Sequence, residues 1–245
     1  MMADEKTPDE GAADKAVQWV RGLADKVMMN GVGRISGSET WAEERLARRQ
    51  GDGYRPPGDD ERRSPEDMAD DIDAVIARLI KESATASGTQ GFVTGFGGLI
   101  TAGLTIPANV AASIAINMRM AGAIVHLRGW NIADPQVRTV AMMLAIGMSA
   151  QNVLSSFGVK VGQKIAEQMI KKVSHETIKA INKKVGFHLL AKYGTQRATI
   201  TLAKAVPILG GVVGGAVDAT STALIGRATD KALRDGTLQG DPEPQ

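Results

Sequence analysis

The stretch SATASGTQGFVTGFGGLITAGLTIPANVAASIAINM, residues 83–118, runs for 36 positions without a charge. A bilayer crossing needs ~20 apolar residues, so length alone permits a membrane span. Pro107 and Asn109 argue against one, because proline breaks a helix interior and a carboxamide is costly in hydrocarbon. The run therefore predicts two helices, the second starting at Pro107 and ending near Arg128, with Gly129 beyond its end. Gly91 and Gly95 stand four apart, and so do Gly210 with Gly214 and Gly211 with Gly215. This spacing lets two helix backbones come into contact.

Further uncharged runs cover residues 139–159 and 205–217. Gln151 and Asn152 interrupt the first, and the second is too short to cross a bilayer. Three such runs in one chain argue for contact with apolar matter: either they insert into lipid, or they bury one another and leave room between them for an acyl chain. The composition agrees. Apolar residues make up 43% of the chain and aromatic ones only 4%, while glycine takes 28 of 245 positions. A core with few rings gains its stability from close approach of thin helices. A β-sandwich would want aromatic and β-branched residues.

The remaining periodicities are helical. Val17, Val20, Leu23, Ala24, Val27 and Met28 form one stripe over residues 9–29. Ser36-Gly37-Ser38-Glu39 has capping-box form and opens a helix to Gly51. After a polar, proline-broken linker, Ser64-Pro65 starts a helix striped by Met68, Ile72, Val75, Ile76, Leu79 and Ile80. Asp134-Pro135 opens another to about Phe157, two or three amphipathic helices follow with breaks near Ser174 and Gly194, and Pro207 starts the last, to about Arg234. The expected fold is all-α, a compact bundle of about ten helices with glycine-zipper packing. Residues 1–63 are expected as a loosely docked acidic extension, 64–236 as the main domain and 237–245 as a disordered tail.

Charge is divided along the chain. Residues 1–82 carry 19 acids and 13 bases, whereas residues 160–204 carry ten bases against Glu167 and Glu176. Cysteine is absent, which removes disulfides, thiolate nucleophiles and sulfur-ligated zinc and fits a reducing compartment. The start of the sequence is acidic and lacks a basic region leading into an apolar one, so a cytoplasmic location is expected.

Three segments together carry a family resemblance. They are GFVTGFGGLIT from Gly91, the Met118-Arg119-Met120 helix leading to Arg128-Gly129, and INKKVG from Ile181 with AVPILGGVVGGAVD from Ala205 to Asp218. In order and spacing they resemble the bacterial EcsC family, over roughly residues 70–235. The resemblance implies an all-helical protein without established catalytic residues, whose namesake is encoded beside an ABC transporter. It also implies an acidic residue two places after Pro107, where this chain has Asn109.

Enzyme motifs are incomplete. His175-Glu176-Thr-Ile-Lys179 begins like the zinc motif H-E-x-x-H but lacks its second histidine. The glycines match neither a P-loop nor G-x-G-x-x-G, and the G-x-S-x-G nucleophile turn is missing. No metal or cofactor is expected. Polar residues within apolar helices say more. Asn109, Ser113 and Asn117 recur every four residues, Arg119 and His126 lie on another face, and Asp218 adjoins the glycines. A buried carboxylate needs a partner, so Asp218 is expected to pair with Arg119, either as a structural ion pair or as part of a ligand or lipid-headgroup cavity.

Lys160, Lys164 and Lys171 are expected along one helix face. Lys172 follows, and Lys179, Lys183 and Lys184 lie beside Ile178, Ile181 and Val185. Such faces either stay solvated or meet an anionic bilayer. Nucleic acid is disfavoured because aromatic stacking residues and an arginine-rich reading element are lacking. The expected function is therefore non-catalytic: peripheral association with the cytoplasmic membrane face or lipid binding, to which the resemblance adds a role as a transporter accessory. A hydrolase of lipid or peptide and a structural scaffold are the alternatives. The hydrolase gains ground if Ser174, His175 or His126 meets an acid in a pocket.

Overall fold

A computed structural model of the chain describes residues 8–54, 68–88, 108–160, 165, 167–203 and 210–238. Among them lie nine α-helices: α1 Pro8–Met29, α2 Ser38–Gln50, α3 Ala69–Gly88, α4 Ala108–Leu127, α5 Pro135–Ala145, α6 Ala150–Ser156, α7 Glu167–Lys171, α8 His175–Ala203 and α9 Gly210–Asp235. The described residues include no strand beyond an isolated bridge between Val32 and Ile35. That bridge closes a two-residue turn between α1 and α2. Gly33 sits there at φ +62, a left-handed value that glycine adopts without strain.

The centre is α4. It is apolar almost all round, as a helix surrounded by others must be, and it packs against α1, α2, α3, α5, α8 and α9. Its window Val110–Leu127 is long and apolar enough to cross a membrane, yet 89% of it is buried inside this fold. In the run over α5 and α6, residues 139–146, Ala150, Val153 and Leu154 are buried likewise, while Asn152 is exposed.

Close helix approach occurs, at other glycines than those expected. A Cβ on Gly122 of α4 would lie 2.5 Å from Ser38 Oγ of α2, and one on Gly226 of α9 would lie 2.6 Å from Ile80 Cγ1 of α3. Gly186 of α8 sits against Val17 of α1 in the same way. Gly91 and Gly95 lie outside the described residues, and of Gly210, Gly211, Gly214 and Gly215 only the helical backbone is described.

Several expected boundaries shift. The helix expected from Pro135 to Phe157 is two. Gly147 takes φ +78, Met148 N donates to Met143 O at 2.9 Å, and the Ser149 hydroxyl caps α6 by accepting from Asn152 N. Conversely, α8 runs through Gly194, since one glycine costs a long helix only ~1 kcal/mol. The capping box does not form. Gly37 is the N-cap of α2, while Ser36 and Ser38 bond to Arg119 of α4. α4 and α5 begin within a residue of Pro107 and Pro135. α3 and α9 begin four and three residues after Pro65 and Pro207, which, like Pro107, lie outside the described residues.

Two further expectations are corrected by burial. Within the segment 1–63, the described residues 8–54 are not loosely docked. Val20, Leu23, Val27, Met28, Trp41 and Leu46 are buried in the same cluster as Ile114, Met118 and Ile124 of α4. Nor is the chain free from residue 237. Leu238 is buried, and its carbonyl accepts from Ala150 N at 2.9 Å. Residues 239–245 lie outside the description.

Glu82 of α3 illustrates how α2 and α3 are joined. Arg45 binds both its oxygens, at 2.9–3.1 Å, and Arg78 binds one at 2.8 Å. Burial pushes this carboxyl up, but the two guanidinium groups outweigh it and hold it below the ordinary glutamate value of 4.5. A depressed folded-state pKa contributes stability above the unfolded-state pKa, and that stability is lost as pH falls through the folded value. Glu82→Gln should therefore lower the urea midpoint at pH 7, and the gap to the parent should close in acid. An equal gap at both pH values would remove the charge from the explanation.

Candidate functional site

The lysines expected to share a surface belong to three separate pieces of chain. Lys160 is exposed beyond the end of α6, in a segment that is not helical, and Lys164 lies outside the described residues. α7 is only five residues long and Lys160 is not helical, so Lys160 and Lys171 do not share one helix face. Lys171 is also clasped within the fold. Its ammonium lies 2.9 Å from both Glu167 and Asp134, and hydrogen bonds to Glu167 and then Asp134 raise its pKa. Lys172 is exposed.

The remaining lysines of the set are held by α8. Ser174 caps this helix, its hydroxyl accepting from Thr177 N at 3.2 Å. Ile178, Ile181, Val185 and Leu189 then recur at helical spacing and are buried against the core. Gly186 lets α1 close over that side. With its inner face anchored, α8 turns Lys179, Lys183, Lys184, Phe187 and His188 outward. At ~100° per residue, Phe187 projects opposite the core, with Lys183 and Lys184 on either side. Its side chain is 61% exposed, more than Leu224, Met29 or Met169.

The surface is basic, with partial screening. Lys183 lies 3.7 Å from Asp14 of α1, and Lys184 stands 5.9 Å from the centroid of Phe157. Lys192, from the same basic region, instead caps α5 by donating to Ile146 O at 2.9 Å. Phe187 is not part of the apolar stripe that marks α8 in the sequence. The signal was present, since residue 187 falls half a turn away from Ile178, Val185 and Leu189.

The polar residues expected to line a cavity are divided between two sides of α4. Ser113 and Asn117 point into the core. Asn117 is 3% exposed, donates to Ser113 O at 2.9 Å and leaves its Oδ1 without a hydrogen-bond partner among the described residues. The side chain of Asn109 lies outside the described residues. Arg119 and His126 face α2. Arg119 donates to Ser36 O at 2.7 Å and stacks 4.1 Å from the Trp41 ring, and burial pushes its guanidinium down to about 10.

Asp218 is half-buried on α9 and is not the partner that holds Arg119. The deeply buried acid is Asp230, one face of α9 further on. Arg128 Nε donates to Asp230 Oδ1 at 2.7 Å, and Arg234 binds Oδ2 at 2.6 Å. Arg128 also reaches Asp73 of α3 at 2.7 Å. The notable acid of the glycine-rich helix is thus structural, and it ties α3, α4 and α9 together.

His126 does meet an acid. Its Nε2 lies 2.5 Å from Glu43 Oε1, and the Tyr54 hydroxyl donates to Oε2 at 3.1 Å. A hydrolytic triad also needs a nucleophile hydrogen-bonded to the ring. Among the described residues no hydroxyl bonds to His126, so the group joins α2 to α4 without presenting a reactive oxygen. His175 is exposed in the first turn of α8, and no group of His, Asp and Glu suited to a metal ion occurs among the described residues.

Comparison with known proteins agrees with the architecture. No curated protein and no solved structure matches the chain significantly. The EcsC protein family matches over residues 59–235, well over half of the 245, so α3 to α9 fall within the match and α1 and α2 precede it. The chain belongs to the EcsC protein family.

Proposed function

We propose that this protein is a non-catalytic helical protein that associates peripherally with the anionic cytoplasmic face of a membrane through the outer side of α8. One observation carries the reading: a helix pinned to the core by Ile178, Ile181, Val185 and Leu189 presents Lys179, Lys183 and Lys184 to solvent. Basic amphipathic helices of this kind suit the headgroup layer. An accessory role to a transporter rests on the family resemblance alone. The hydrolase reading draws on His126, Glu43 and Tyr54, where the one hydroxyl is bound to the Glu43 carboxylate and not to the imidazole that would have to activate it.

Each lysine near an anionic surface contributes up to ~1 kcal/mol, so Lys172, Lys179, Lys183 and Lys184 together set an upper bound of ~4 kcal/mol. Asp14 lowers the share of Lys183. Screening cuts the reach of these charges to ~8 Å at physiological salt. In flotation, the purified protein should rise with phosphatidylglycerol vesicles and stay behind with phosphatidylcholine vesicles, and binding should weaken as salt increases. Changing those four lysines to glutamine should remove most of the salt-sensitive part. Equal flotation of parent and variant would exclude the basic face, and a parent that floats with neither vesicle would exclude the membrane.

A further inference from the structure

We propose that Phe187 is the apolar anchor of this surface, seated below the headgroups of an anionic phospholipid bilayer while Lys183 and Lys184 lie among the phosphates beside it. The inference rests on the membrane reading above and assigns the apolar part of the contact to one exposed residue.

A single exposed apolar side chain is ordinary on a protein surface, and Leu224 is such a case. Phe187 differs in its position. It stands at the crest of α8, directly away from Ile178, Val185 and Leu189, and cannot turn back to the core because its own backbone faces outward. Its ring packs edge-on to His188, with centroids 6.1 Å apart, so both aromatic groups sit on the outer side. Lys183 and Lys184 flank it, and both keep long side chains able to reach phosphates while the ring goes deeper.

The same face tells against a protein groove as the occupant. A helix that docks into a groove presents several large apolar residues at i, i+3, i+4 and i+7. Around Phe187 the corresponding positions are Ala180, Lys183, Lys184, Leu190 and Ala191, and the one large apolar residue among them, Leu190, is partly buried against the core. One ring ringed by cations fits a deformable anionic interface better than a preformed apolar slot. The apolar helix α4 is not a competing source of that contact, because it packs against six other helices and 89% of its apolar window is buried.

Apolar insertion and lysine attraction respond differently to salt, which makes the two separable. Vesicle partitioning of the full chain would be measured over a salt series with phosphatidylglycerol–phosphatidylcholine vesicles. Phe187→Ser should weaken partitioning by ~10-fold or more at every salt concentration, with the salt slope unchanged, and Phe187→Leu should restore most of it. The four-lysine variant should instead flatten the slope. A tryptophan placed by Phe187→Trp should become shielded from aqueous iodide when vesicles are added. Equal partitioning of Phe187→Ser and the parent, or a tryptophan still quenched on vesicles, overturns the anchor and leaves the basic face standing. A parent that binds no vesicle overturns both. Circular dichroism of Phe187→Ser should match the parent, since the residue lies outside the core.

Discussion

Deleting residues 1–54 should abolish the cooperative unfolding transition of the chain. The sequence suggests the opposite, because this segment is acidic, is followed by a proline-broken linker and precedes the family match. In the fold, however, α1 packs on α4 and α8, and α2 packs on α3 and α4. Val20, Leu23, Val27, Met28, Trp41 and Leu46 are all buried. At ~1.5–3 kcal/mol for each large apolar side chain buried, these six contribute ~9–18 kcal/mol before conformational entropy is subtracted. A whole domain keeps only ~5–15 kcal/mol of net stability. Deletion would also bare the α4 face that carries Met118 and Gly122, inviting aggregation. The check is a thermal melt of the truncated chain by circular dichroism. A single sharp transition near the parent's midpoint would return α1 and α2 to the periphery.

Asp230→Ala should lower the free energy of unfolding by ~3–5 kcal/mol, the usual loss when one partner of a buried ion pair is removed. Asp230 is 7% exposed, and its two oxygens are taken by Arg128 and Arg234. Removing it leaves the Arg128 guanidinium, itself largely buried, with only Asp73 on the solvent side. The gain in helix propensity from alanine recovers ~0.5 kcal/mol at most. Arg234→Ala should cost less, because half of that side chain is exposed and Arg128 would still hold Asp230. Urea denaturation of the three proteins reads the order directly. A loss below ~1 kcal/mol for Asp230→Ala, or a larger loss for Asp218→Ala, would contradict the assignment of the buried acid.

Both results turn on relations between distant residues. Among the described residues, the glycines that bring helices into close contact are Gly122, Gly186 and Gly226, none of them in the expected zipper set. Their neighbours Ser38, Val17 and Ile80 are far away in sequence. No G-x-x-x-G repeat marks them, since a single glycine suffices where two helices cross once.

The sequence by itself determined the helical class, the apolar stripes of α1, α3 and α8, and the ends at Gly51, Gly129 and Gly236. These follow from local rules. Apolar spacing of three and four residues builds a helix, and a glycine at positive φ ends one, as all three of these do. Tertiary structure alone decided that Asp230 rather than Asp218 is the buried acid, and that Arg119 stacks on Trp41. It also decided that α1 and α2 complete the core. Each outcome depends on which helix faces cross, and many faces of similar apolar character could have served as partners. Burial and ion pairing are properties of the crossing, and periodicity within one helix carries no information about its neighbour.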